Sequence, residues 1–190
     1  MTTMPKLILL PAGLALALAG ASLKVQAQSI IASGDLTGTA AGPDYDYSLT
    51  VSDSGAATSP IGSFWFGWVP GEFFLATDPT SASAPTGWSA TVVNNSIQFL
   101  ASSSTYDIAP GGSLSGFGFT SADTPATMAG AAVAAGYPTT PVTTTVAYGA
   151  GFFSSPSDTF VVTVVPEPSS LALLLAGPLC WFAIRRRIRK

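Results

Sequence analysis

Hydrophobic and polar positions alternate in short runs through the middle of the chain. Tyr45, Tyr47, Leu49 and Val51 alternate with Asp46, Ser48, Thr50 and Ser52, the period of a half-buried strand. Phe64, Phe66 and Trp68, interleaved with Trp65 and Gly67, predict a second strand, with Trp68 continuing the core face and Trp65 pointing the other way. Trp88, Ala90 and Val92 predict a third, and Ile97 with Phe99 a fourth. Asn94-Asn95 joins these two as a hairpin turn, because asparagine tolerates positive φ. Pro110-Gly111-Gly112 predicts a turn before a strand through Phe117 and Phe119. Leu114 is out of phase with that strand, which a bulge near Gly116 absorbs. Phe160, Val162 and Val164 form the last strand. Ala129–Ala135 reads as one helical turn or a small-residue loop, and Tyr137–Pro141 as a turn-rich connection.

Short strands separated by Gly, Pro, Ser and Asp predict an all-β domain, an antiparallel β-sandwich over residues 28–165. An N-terminal signal helix and a C-terminal hydrophobic helix are expected to flank it. A domain of this length builds one core without disulfides. The single cysteine, Cys180, lies in the C-terminal apolar run and reads as apolar filler, so the domain has no thiol chemistry.

The ends differ from the middle in charge. All seven basic residues lie at the ends: Lys6 and Lys24, then Arg185, Arg186, Arg187, Arg189 and Lys190. All ten acidic residues lie between Asp35 and Glu167, so residues 28–168 carry a formal charge of −10, with no Lys, Arg or His. Such a surface repels phosphate backbones, which argues against nucleic acid as a partner.

Lys6, the apolar run from Leu7 to Ala21 and Val25-Gln26-Ala27 have the three parts of a secretory signal peptide, with cleavage between Ala27 and Gln28. The implied partners are the Sec translocon and signal peptidase. A permanent anchor is the alternative, but the run is shorter than the roughly 20 residues of a spanning helix and holds Pro11, Gly13 and Gly20.

At the other end, Pro166-Glu167-Pro168 forbids a helix or central strand. Leu171–Ile184 follows with 14 residues, about 21 Å as a helix. That is short of a hydrocarbon core about 30 Å thick, so it implies transient membrane insertion rather than firm anchoring. Arg185, Arg186, Arg187, Arg189 and Lys190 orient it with the basic tail inside.

These three parts, in this order, resemble the PEP-CTERM sorting signal of exopolysaccharide-producing bacteria. The resemblance covers roughly residues 166–190 and implies recognition of Pro166, Glu167 and Pro168 by an exosortase, a membrane-embedded transpeptidase-like enzyme. It implies an exported protein of a Gram-negative-type envelope, cell surface or matrix. Phe64–Gly71, Pro85-Thr86-Gly87-Trp88, Ile108–Gly111 and Gly116–Ser121 also resemble a recurrent domain of exported PEP-CTERM proteins, which implies a sandwich and no particular activity. The Pro-Gly turn before an aromatic strand is similar to cellulose-binding-type modules.

Candidate chemistry is sparse. Without His, Lys or Arg the domain lacks a histidine-based nucleophile pair, and the carboxylate pairs Asp44/Asp46 and Glu72/Asp78 are flanked by loop residues. The chain therefore reads as no enzyme. No cofactor is expected beyond a Ca²⁺ ion at Asp44/Asp46, which lacks a full oxygen-ligand loop. Asn94-Asn95-Ser96 matches a glycosylation sequon that the hairpin turn equally explains. The expected role is a structural or adhesive surface or matrix component. The alternative is a carbohydrate-binding module that contacts exopolysaccharide through exposed aromatics, with Trp65 as the candidate and Trp68 and Trp88 assigned to the core.

Overall fold

A computed structural model describes residues 27–132 and 136–165. Among these residues the strands are β1 (Ala32–Ala41), β2 (Asp44–Asp53), β3 (Ser63–Phe66), β4 (Trp68–Val69), β5 (Glu72–Phe73), β6 (Ser81–Ser83), β7 (Trp88–Val92), β8 (Ile97–Ala101), β9 (Ser113–Ser121), β10 (Thr144–Tyr148) and β11 (Ser157–Val165). A short helix, α1 (Pro125–Met128), accompanies them.

The sheet runs β6-β9-β2-β1-β11-β10-β3-β8-β7, with β4 and β5 as a separate hairpin. Neighbours are antiparallel except β1 and β11, which are parallel. β11 changes partner along its length. Ser157–Val161 pair with β10, and Val162–Val165 pair with β1. The sheet turns at this strand, and its edge strands β6 and β7 lie against one another, so the sheet nearly closes into a barrel.

The all-β expectation is met. Instead of two separate antiparallel sheets, one continuous sheet curls around the core, because β11 is long enough to serve both halves. The two flanking helices fall on residues outside those described.

The inner face carries Leu36, Leu49, Val51, Phe64, Phe66, Ile97, Phe99 and Phe117, all fully buried. Four rings pack at its centre. Phe64 stacks on Phe99, with ring centroids 4.7 Å apart, while Phe117 meets Phe64 edge-on at 4.9 Å and Trp88 at 5.1 Å. Offset and edge-to-face rings of this kind add to burial. The bulge expected near Gly116 is present. β9 pairs Phe117 with Leu49 but Leu114 with Val51, and Gly116 takes φ +94°. The extra residue restores Leu114 to phase.

The helical turn lies earlier than its alanine-rich candidate. Thr124 caps α1, its Oγ1 accepting from the Thr127 amide at 3.1 Å, and Pro125 opens the first turn. That cap and proline are the stronger start signal, and Met128 anchors the helix in the core. Ala129 closes it, and residues 133–135 of the expected segment lie outside those described.

Candidate binding surface

The outer face of β8–β3–β10 is aromatic. Its register places Gln98, Trp65 and Val146 in one row and Leu100, Ser63 and Tyr148 in the next. Burying this face takes more chain than the strands supply. The β4–β5 hairpin covers one side, and the loop between β10 and β11 covers the other.

Trp65 is the expected exposed aromatic, and this expectation is corrected: it is only 7% exposed. Its indole stacks on Trp68 with centroids 3.9 Å apart and planes 8° from parallel. Its Nε1 donates to Ser96 Oγ at 2.7 Å, and that hydroxyl donates to the Val93 carbonyl at 2.6 Å. The cause is Gly67. At φ +66° it ends β3, so Trp68 leaves the Phe64/Phe66 side and joins Trp65 on the outside. Trp68 is buried as expected, but in this second cluster. Trp88 lies in the main core, its Nε1 donating to the Tyr106 carbonyl at 2.9 Å.

The most exposed aromatic among the described residues is Phe153, which no alternation marks. The loop carrying it is tied down at several points. Gly149 N–H donates to Pro156 O at 3.0 Å, Ala150 N–H to Ser154 Oγ at 3.0 Å, and Ser63 Oγ to Ala150 O at 2.6 Å. Phe152 packs half-buried against Trp65 and Tyr148. Phe153 has φ +66° and is 69% exposed. Its ring centroid lies 5.8 Å from Trp68, 5.9 Å from Tyr148 and 6.0 Å from Trp65. A bulky residue in the left-handed region costs on the order of 1–3 kcal/mol. Here that strain holds an aromatic ring out in water.

A mainly apolar cleft edged by three polar side chains borders the other side of this loop. Leu100, Ser103, Ser104, Asp107, Ala150 and Gly151 line a hollow of about 140 Å³. Burial raises the Asp107 pKa above the ordinary carboxylate value. Its carboxylate has no hydrogen-bond partner among the described residues.

The other carboxylates serve the fold. Asp123 is buried and accepts from the Ala76 and Thr77 amides at 3.0 and 3.2 Å and from Thr77 Oγ1 at 2.9 Å. Its backbone carbonyl accepts from the Tyr47 hydroxyl. Burial, then the charge of Asp123, pushes the Tyr47 pKa well above its ordinary value. Asp53 is also buried, with Oδ1 accepting from the Ile31 amide at 3.1 Å and Oδ2 unpartnered.

Of the nominated acid pairs, Asp46 accepts from Thr120 Oγ1 at 2.7 Å and Glu72 lies on β5 opposite Val69. Among the described residues no three His, Cys, Asp or Glu side chains form a group able to hold a metal ion. At the sequon, Asn94 takes φ +49° at the hairpin apex, and Asn95 Nδ2 donates to Leu75 O at 2.8 Å.

Ala27 and Gln28 are exposed, and the chain is held from there onward: Ser29 N–H donates to Thr58 Oγ1 at 2.9 Å, and Ser29 O accepts from the Thr58 and Ser59 amides. Pro166, Glu167, Pro168, the apolar segment 171–184, and Arg185, Arg186, Arg187, Arg189 and Lys190 lie outside the described residues. Among the described residues no helix is long and apolar enough to cross a membrane.

No protein-family model matches the chain, and no significant similarity links it to a curated protein.

Proposed function

We propose that the protein is an exported, non-enzymatic component of a bacterial cell surface or exopolysaccharide matrix. In this reading the Sec translocon exports it, signal peptidase cuts between Ala27 and Gln28, and an exosortase processes its C-terminus. Its fold in the mature form is the curled, nearly closed β-sheet. The observation that carries this is the order of parts after the last strand. β11 ends at Val165, and Pro166-Glu167-Pro168, an apolar run and an arginine cluster follow at once. Proline lacks the N–H that a ladder needs, which supports reading the motif as a signal that begins where the last strand stops. The acidic domain, with no Lys, Arg or His, supports a structural or adhesive role over catalysis.

Intact mass of the protein exported by an exosortase-bearing host tests the reading. Loss of both residues 1–27 and the basic tail is expected. A P166A/P168A double variant is expected to stay in the membrane fraction with its tail. A mature mass that retains Arg185–Lys190 in the unaltered protein overturns it.

A further inference from the structure

We propose that Phe153 and the Asp107 cleft, on the two sides of one loop, form the contact site for a neutral polysaccharide chain. This rests on the reading that the protein works in a polysaccharide matrix, and it names the surface and the ligand class. Two unfavourable features coincide at Phe153: a left-handed backbone, and a large ring left 69% exposed. Phe73 and Phe152 already pack against Trp65, and beyond its edge contacts with Trp65 and Trp68 the Phe153 ring remains largely in water. An aromatic face held out on a tied-down loop suits the C–H face of a sugar ring, with little entropy lost on binding.

Across the loop, Asp107 supplies an unpartnered acceptor, and Ser103 and Ser104 supply hydroxyls, within a hollow of about 140 Å³. One apolar platform with a few convergent polar groups is the composition of a sugar subsite.

Charge selects the ligand. The described residues carry nine carboxylates and no basic side chain. An anionic polymer, an anionic bilayer or a second copy of the domain is repelled, whereas a neutral glycan meets no such barrier. Asp107 then accepts hydrogen bonds from sugar hydroxyls without an opposing charge.

The test uses the protein as exported and processed by its host, with three probes: sedimentation with cellulose, and affinity electrophoresis through dextran and through galactomannan. Retention by at least one is expected. Phe153→Ala is expected to weaken it by about tenfold or more, with a fluorescence change of Trp65 and Trp68 on binding lost in parallel. Asp107→Asn is expected to weaken it several-fold, to a degree that thermal melting of the free variant does not account for. No retention on any probe overturns the proposal, as does unchanged retention in either variant. Phe153-dependent self-association without glycan retention also overturns it. The mass of the processed protein is read separately, so failure here and failure of the export reading are distinguishable.

Discussion

Trp65 and Trp68 lie face to face on the outside of the sheet because the residue between Phe66 and Trp68 is a glycine in the left-handed region. A Cβ on Gly67 would meet Leu75 Cγ at 3.1 Å, so backbone and packing both resist a side chain there. Gly67→Ala is expected to destabilise the domain by about 1–3 kcal/mol, read by urea unfolding. A loss below about 0.5 kcal/mol would mean the chain reverses at this point without the left-handed residue.

The stack is also fixed from its edge. Ser96 Oγ is fully buried between the Trp65 indole N–H and the Val93 carbonyl. Ser96→Ala leaves a buried indole donor unsatisfied, at a cost of about 1–3 kcal/mol. Trp65→Phe removes that donor along with part of the ring. In the Trp65→Phe background the serine substitution should therefore cost less, a coupling that a double-mutant cycle measures.

Asp123 ties the chain between β5 and β6 to the end of β9 through three donors from Ala76 and Thr77. Asp123→Ala is expected to cost on the order of 3 kcal/mol, because hydrogen bonds to a charged group are worth more than neutral ones. Hydrogen exchange at the Ala76 and Thr77 amides should accelerate beyond the global loss of stability. If these amides exchange no faster than the core strands, the latch is not what orders this segment.

Asp53 predicts an unusual pH response. Burial raises its folded-state pKa above the ordinary carboxylate value. The like charge of Asp158 adds to the rise, and the hydrogen bond from the Ile31 amide opposes it. The folded state therefore binds this proton more tightly than the unfolded chain does. The contribution is fully present below the unfolded pKa and is lost as pH rises through the raised folded value. Stability of the wild type should fall across that window, and Asp53→Asn should flatten the fall and equal or exceed the wild type at neutral pH. A variant with an unaltered pH–stability curve would remove Asp53 from this role.

How much of this was legible in the chain depends on how many faces of each strand are covered. β2, β8 and β11 bury one face more than the other, so their alternation is plain and their core residues are those expected. β10 is buried at all five positions, between the inner core and the aromatic cluster, and therefore shows no alternation. β1 has Leu36 as its one large apolar residue. Its glycines are dictated by neighbours: a Cβ on Gly38 would sit 2.5 Å from the Tyr47 ring. Trp65 was misplaced for a related reason. A period-2 reading assumes an unbroken strand, and Gly67 ends it. Phe153 has no periodic context at all. The one signal for it is a pair of adjacent phenylalanines set between Gly151 and Ser154, with no polar partner to hide them from water.

The strand β11 sits between the first strand of the domain and the tenth, and it is the last to leave the ribosome. Until Val165 is available, β1 and β10 have no common neighbour and the two halves of the sheet are unjoined. Hairpins such as β1–β2 and β7–β8 are local, whereas the pairing that joins the two halves spans the whole domain. The sheet closes only when this last strand pairs with both β1 and β10. The topology thus ties closure of the sheet to completion of the domain's own synthesis.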